Sequence, residues 1–199
     1  MPPSEIKTHI FDLDGTLYAA DDGYIAHVKE NVFRYLEEKL GIEDGKAYWH
    51  KVFPKYNQTL RALQAEGHNI DVAEYWQYIR AGQADFLMEA GEPLKEFLTS
   101  LPQDKYVFTN CAEKEAEVRL WEVNALTLLD GVYGSDFMGQ VCKPEAEAFR
   151  IVCQDIGADP STTAMYEDSY KNLVTANSLG MTTIFVTGEL LRVSRKGEE

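Results

Sequence analysis

His9-Ile10-Phe11-Asp12-Leu13-Asp14-Gly15-Thr16-Leu17 runs from a short, mostly apolar stretch into two acids and a glycine. The first three residues read as a buried strand that ends at Asp12. A buried strand that terminates in two carboxylates is costly unless those charges find partners. In open α/β sheets, ligands bind just beyond the carboxyl ends of strands. Asp12 and Asp14 lie two apart, so in an extended segment their side chains share a face. Gly15 then lets the chain turn sharply. Asp-Gly is also a common turn dipeptide, and a capped turn is the plainer reading of that pair by itself.

The rest of the chain supplies the context. Tyr106-Val107-Phe108 reads as a second strand ending at Thr109-Asn110, Ala164-Met165-Tyr166 as one preceding Glu167-Asp168, Thr183-Ile184-Phe185-Val186 as a fourth, and Gly131-Val132-Tyr133 as a weaker fifth. Between them the spacing predicts helices over 114–125, with Val118, Trp121 and Ala125 on one face, over 145–156, with Phe149, Val152 and Ile156, and over 170–179. Strands alternating with helices imply an α/β fold, a Rossmann-like parallel sheet covered on both faces.

Residues 19–90 differ, for they contain no convincing strand. Ile25, Val28, Val32, Leu36 and Leu40 recur at helical spacing, and Gly41 follows as a stop signal. Pro54 divides the next helical pattern, whose later half carries Tyr56, Leu60 and Leu63. A third pattern holds Val72, Tyr75, Trp76 and Ile79, with Asp71 as its N-cap or first-turn acid. We therefore expect a helical cap domain over 19–90 and an α/β core domain made of 1–18 and 91–199. Linkers near 18–23 and 88–93 both contain Gly, and cap movement over the core is expected to follow from them.

Three more segments add to the paired acids. Thr109-Asn110 puts a hydroxyl and an amide at a strand end, either to hold a phosphoryl oxygen or to cap the next helix. Lys143-Pro144 precedes the helix at 145, with Pro144 suited to the first helical position. Lys143 is either a fixed positive charge near the carboxylates or a solvated surface residue. Glu167-Asp168, trailed by Ser169 and Asn172, adds further oxygen donors. Four strand ends then converge on acid, hydroxyl, ammonium and acid. Few carboxylates with other oxygens and a substrate phosphate are what Mg²⁺ prefers.

In this combination the sequence resembles the haloacid dehalogenase superfamily of phosphatases. The resemblance spans residues 6 to about 190. It rests on Asp12-Leu13-Asp14-Gly15-Thr16, Phe108-Thr109-Asn110, the stretch from Cys142-Lys143-Pro144 to Phe149, and the stretch from Tyr166-Glu167-Asp168 to Asn172, in that order. The helical insertion after the first motif is similar to the C1-capped subgroup. The resemblance implies that Asp12 is the nucleophile, forming an aspartyl-phosphate. It makes Asp14 the general acid for the leaving alkoxide and then the base for water. It implies Mg²⁺ held by Asp12, the backbone carbonyl of Asp14, and Asp168. Thr109 and Lys143 would bind the phosphoryl oxygens, helped by the Asn110 backbone N–H. Glu167, where many members carry Asp, would stand behind the metal and orient its water. Asn172 would orient a ligand carboxylate or cap a helix.

Leu17-Tyr18 and the cap segments from Tyr56 to Leu63 and around Asp71-Val72-Ala73-Glu74-Tyr75 are similar to the pyrimidine 5′-nucleotidase branch. On that resemblance Tyr56 would stack on a base and Arg61 would hydrogen-bond base or ribose. The same residues also read as packing and surface charge. That branch varies at the position of Gly15, which is therefore neutral. Phosphoglycolate or a sugar phosphate is the alternative substrate class. A dehalogenase needs no acid at Asp14, a mutase needs a phosphorylated donor, and a catalytically silent binding module on the same fold is the alternative of another kind.

Composition narrows the partners. Of 199 residues, 19 are basic and 33 acidic, for a net charge of −14. Such a chain repels nucleic acid and anionic lipid at long range, though a small site can carry its own cations for an anionic phosphomonoester. Neither a signal-peptide pattern nor an 18-residue apolar run is present, so no membrane partner is expected. Cys111, Cys142 and Cys153 form no disulfide framework, which suits a reducing, cytoplasmic setting. They have no base partner at recognisable spacing, and the four histidines need no ligand role. Oligomeric state is open.

Overall fold

A computed structural model describes residues 6–18, 22–82 and 92–187 of the chain. It divides into two compact units, one of Met1–Ala20 with Met88–Glu199 and the other Asp21–Leu87. The expected linkers fall mostly on 19–21 and 83–91, outside the described residues.

The first unit is built on five parallel strands in the order β3-β2-β1-β4-β5. They are β1 (Thr8–Phe11), β2 (Asp104–Phe108), β3 (Gly131–Tyr133), β4 (Thr163–Glu167) and β5 (Thr182–Phe185). β1 sits at the centre, with Ile10 level with Tyr106 of β2 and Met165 of β4. All five expected strands are present, with ends shifted by one or two residues.

Alternation along β1 sorts its side chains between the two faces. Ile10 joins Phe108 and Met165 against Phe149 and Val152 of helix α8 (Ala146–Asp155) and Leu173 of α9 (Tyr170–Ser178), all buried. Phe11 stacks on Tyr166 at 4.5 Å and meets Phe97 of α5 (Glu92–Ser100) edge-on at 6.2 Å. His9, on the same face, bonds the Tyr166 hydroxyl through Nδ1 at 3.1 Å and faces Gln103 through Nε2 at 3.3 Å. Its burial lowers its pKa, since desolvation disfavours the charged imidazolium.

Two expectations about α6 (Glu113–Glu122) change. Its buried face is Ala116, Arg119 and Leu120, and Trp121 is 72% exposed. The helix also ends early, because Asn124 takes a positive φ of 53° and turns the chain. Pro144 does not open α8 either: Glu145 is its N-cap, and the Lys143–Pro144 peptide is cis. A four-residue helix, α7 (Ser135–Met138), precedes that turn.

The second unit holds four helices and no strand among its described residues: α1 (Asp22–Glu38), α2 (Gly45–Tyr56), α3 (Thr59–Ala65) and α4 (Val72–Ile79). Val32 and Leu36 of α1 are buried as the spacing predicts, joined by Tyr35, which packs edge-on against Tyr75 at 5.1 Å. Asp71 caps α4, accepting the Glu74 N–H at 2.9 Å. Pro54 does not divide the second pattern but lies inside α2. The break comes at Asn57, which is left-handed at φ 53° and donates its N–H to the Phe53 carbonyl at 2.8 Å. Asn tolerates that conformation, so it ends the helix where Pro54 only removes one donor. Among the described residues no helix is long and apolar enough to cross a membrane.

Phe149 is 1% exposed and meets Phe108 edge-on at 5.1 Å. Phe149→Ala is expected to cost about 3–5 kcal/mol in a urea titration. Trp121→Ala is expected to stay within about 0.5 kcal/mol, and a comparable loss at both positions would contradict this division of the core.

Candidate active site

Because the strands are parallel, β1, β2 and β4 release Asp12, Thr109 and Asp168 at one edge of the sheet. Lys143 arrives differently from the expectation, on the turn between α7 and α8 and not at a strand end. Asn110 brings it in. Its side-chain Nδ2 donates to the Lys143 carbonyl and its Oδ1 accepts the Lys143 N–H, both at 2.9 Å. That two-way clamp gives the Asn110 side chain a task absent from the sequence reading.

The Lys143 ammonium is 1% exposed. It donates to Asp12 Oδ1 at 2.6 Å and to Glu167 Oε2 at 2.8 Å. Asn172 Nδ2 donates to the same Glu167 oxygen at 2.9 Å, and the Ser169 N–H donates to Glu167 Oε1 at 3.1 Å. Asn172 thus orients Glu167. The Thr16 hydroxyl donates to Asp12 Oδ2 at 3.3 Å, and the Tyr18 hydroxyl donates to Asp14 Oδ1. Neither contact was anticipated. Their signal in the sequence is the four-residue spacing across a tight turn. Thr109, 2% exposed, donates its hydroxyl to Cys111 Sγ at 3.4 Å and accepts the Cys111 N–H. Tyr56, at the end of α2, and Arg61, in α3, are half-buried in the helical unit.

Burial and charge pull in opposite directions here. Desolvation pushes Asp12 up to about 7 against the pull of Lys143. Burial works against the charge on Lys143, yet Asp12 and Glu167 hold it above the usual lysine range. Burial also opposes the charge on Glu167, but Lys143 and Asn172 keep it below the usual range. Asp168, outermost of the three acids, is raised by desolvation and by sharing a hydrogen bond with Glu167.

Asp12, Glu167 and Asp168 each offer a carboxylate oxygen, and these oxygens lie within 4.8 Å of one another. Once all three are ionised, three carboxylates against one ammonium leave two uncompensated negative charges, the charge of one divalent cation. Hard oxygen donors at this spacing fit Mg²⁺. The Asp14 carboxylate is not part of the group. The turn at Gly15 is shaped for the same group, with φ at +89° and a Cβ there falling 2.4 Å from Asp168 Oδ2. Only glycine lets Asp168 come this close.

The pattern of the haloacid dehalogenase-like hydrolases spans residues 6–180. The chain belongs to that family. This hydrolase is 24% identical to the pyrophosphatase PpaX of Bacillus pumilus (strain SAFR-032) over 204 residues, covering 100% of its own length and 89% of that protein. A stretch of 96 residues is 30% identical to the drimenol cyclase drtB of Aspergillus calidoustus, of whose length it spans only 18%. Its fold is similar to that of the HAD family enzyme bt-2542 of Bacteroides thetaiotaomicron, solved in complex with magnesium and inorganic phosphate. That similarity has a TM-score of 0.55 and 25% identity, over 90% of this chain and 93% of that one.

The raised acids make a pH prediction for the metal-free hydrolase. A carboxyl with a higher pKa folded than unfolded lets the folded state bind the extra proton, so its stabilising share is lost as pH rises through the folded value. With Asp12 near 7, the metal-free melting temperature is expected to fall from about pH 5 to pH 8 more steeply than in Asp12→Asn/Asp168→Asn. Added Mg²⁺ should flatten the wild-type slope by favouring the ionised acids. Parallel slopes in calorimetry for wild type and variant would contradict the assignment.

Proposed function

We propose that the protein is a Mg²⁺-dependent phosphomonoester hydrolase that works through an aspartyl-phosphate, with pyrimidine nucleoside monophosphates as its substrates. The observation that carries the chemistry is the Asp12 carboxylate, buried, bonded to Lys143 and grouped with Glu167 and Asp168.

A carboxylate oxygen of Asp12 attacks phosphorus, the ester P–O bond breaks, and the departing alkoxide takes a proton from Asp14. Asp14, now ionised, takes a proton from water as that water attacks the phosphorus. The Asp12–phosphorus bond breaks, phosphate leaves, and both acids return to their starting states. An acid at Asp14 favours this reading over halide displacement, which needs no proton donor. Mg²⁺ held by Asp12, Asp168 and the Asp14 backbone carbonyl, with Glu167 beside them, would supply positive charge between carboxylate and phosphate. Lys143 has three N–H donors, two of them on Asp12 and Glu167, and the third serves a phosphoryl oxygen. The Thr109 hydroxyl rests on a thiol, a weak acceptor that it gives up readily for phosphate. Asn110 holds the Lys143 backbone in register for both.

The helical unit, taken as a C1-type cap over 19–90, selects the leaving group. Tyr56 stacks on the base and Arg61 bonds base or ribose. The three buried cysteines are not in disulfides, and the reducing cytoplasm is taken as the setting. The full-length similarity to PpaX favours a second reading, hydrolysis of the phosphoanhydride of pyrophosphate. Phosphoglycolate and sugar phosphates are the remaining class.

Phosphate release is to be measured from UMP, CMP, AMP, GMP, phosphoglycolate, sugar phosphates and pyrophosphate, with Mg²⁺ and with EDTA. The expected result is Mg²⁺-dependent release from UMP and CMP, lost by at least about a thousandfold in Asp12→Asn. Release from pyrophosphate alone would replace the nucleotide reading and keep the core chemistry. Arg61→Ala is expected to raise the KM for UMP about tenfold with kcat little changed, the mark of lost uniform binding.

A further inference from the structure

We propose that Tyr18 is a positioning residue for Asp14, fixing the carboxylate that serves as acid and base. This rests on the aspartyl-phosphate reading above. After β1 the chain folds back on itself within six residues: the Thr16 and Leu17 N–H groups both reach the Leu13 carbonyl, at 3.3 and 3.1 Å. Asp14 and Tyr18 then pair as an isolated parallel bridge. The fold-back delivers the Tyr18 hydroxyl onto Asp14 Oδ1.

The two residues have unequal surroundings. Tyr18 is 4% exposed, so its ring is fixed by packing and its hydroxyl requires a polar partner. Asp14 is half-buried, and a short side chain at such a place would otherwise sample several staggered rotamers. The buried phenol anchors the more exposed acid. With Oδ1 taken by Tyr18, the proton of the reaction passes through Oδ2. General acid–base work requires the carboxyl within hydrogen-bond reach of the leaving oxygen and the attacking water, and misplacement of about 1 Å costs up to a hundredfold. Packing alone would be satisfied by phenylalanine, so the hydroxyl is what the site uses.

The experiment is Tyr18→Phe, which keeps the buried ring, assayed with p-nitrophenyl phosphate in rapid-mixing and steady-state modes. Nitrophenolate leaves without a proton, so phosphorylation of Asp12 does not depend on Asp14, whereas hydrolysis of the aspartyl-phosphate does. Tyr18→Phe should lower steady-state kcat about tenfold while a burst of nitrophenolate grows and phosphate is trapped on the acid-quenched chain. In an Asp14→Asn background the same change should alter turnover less than about twofold, since both act through one group. Equal falls in burst rate and steady state, or additive losses in the double variant, would overturn the role of Tyr18 and leave the phosphatase standing. No release of nitrophenolate by the wild-type chain, together with no phosphate from UMP, CMP or pyrophosphate, would overturn both readings.

Discussion

The Lys143 ammonium, held between Asp12 and Glu167 at 2.6 and 2.8 Å, is the interaction on which the site depends. All three groups are almost fully buried. Two carboxylates in such a place repel each other and have lost their water, and removing the shared cation typically costs about 3–5 kcal/mol. The rest of the α/β unit is arranged to make the link possible. β1 and β4 are neighbours in the sheet, so their ends present Asp12 and Glu167 side by side. β2 flanks β1 on the other side and leads into Asn110, whose side-chain amide grips the backbone of Lys143. Strand order, loop clamp and ion pair are therefore one construction.

The same construction would let a chain of net charge −14 accept an anionic ligand. Overall charge governs long-range encounter, while binding is decided within a few ångströms, where burial sharpens every charge. Here one ammonium and a set of hard oxygen donors leave a local deficit suited to a divalent cation. Gly15 belongs to this arrangement: its positive φ turns the chain, and its missing side chain leaves room for Asp168. A turn that looks ordinary as a dipeptide is, in place, part of the site.

The expectations that failed share a cause. Periodicity puts Trp121 on a buried face, but the face that packs is Ala116 and Leu120, offset around the helix. Local preference makes Pro54 and Pro144 boundaries. Yet α2 runs through Pro54 to a left-handed Asn57, and α8 starts beyond Pro144 at a Glu145 cap. In each case a preference worth a fraction of the packing energy gave way to it. Asp71 does cap its helix, because that cap is a purely local bond, closed within three residues.

That locality separates what the sequence by itself determined from what the tertiary structure decided. Five strands, the acids at the ends of β1 and β4 and the helical character of residues 22–79 follow from apolar period and turn chemistry, which act over a few residues. So did the motif set that marks the family. Which acid holds Lys143, that Asn110 works through the Lys143 backbone, that Asn172 serves Glu167, and that Glu167 joins Asp12 and Asp168 were not legible there. Lys143 lies 131 residues from Asp12 along the chain. Contacts of that kind depend on strand order and on the direction each side chain takes once the sheet has closed, and no periodicity encodes either.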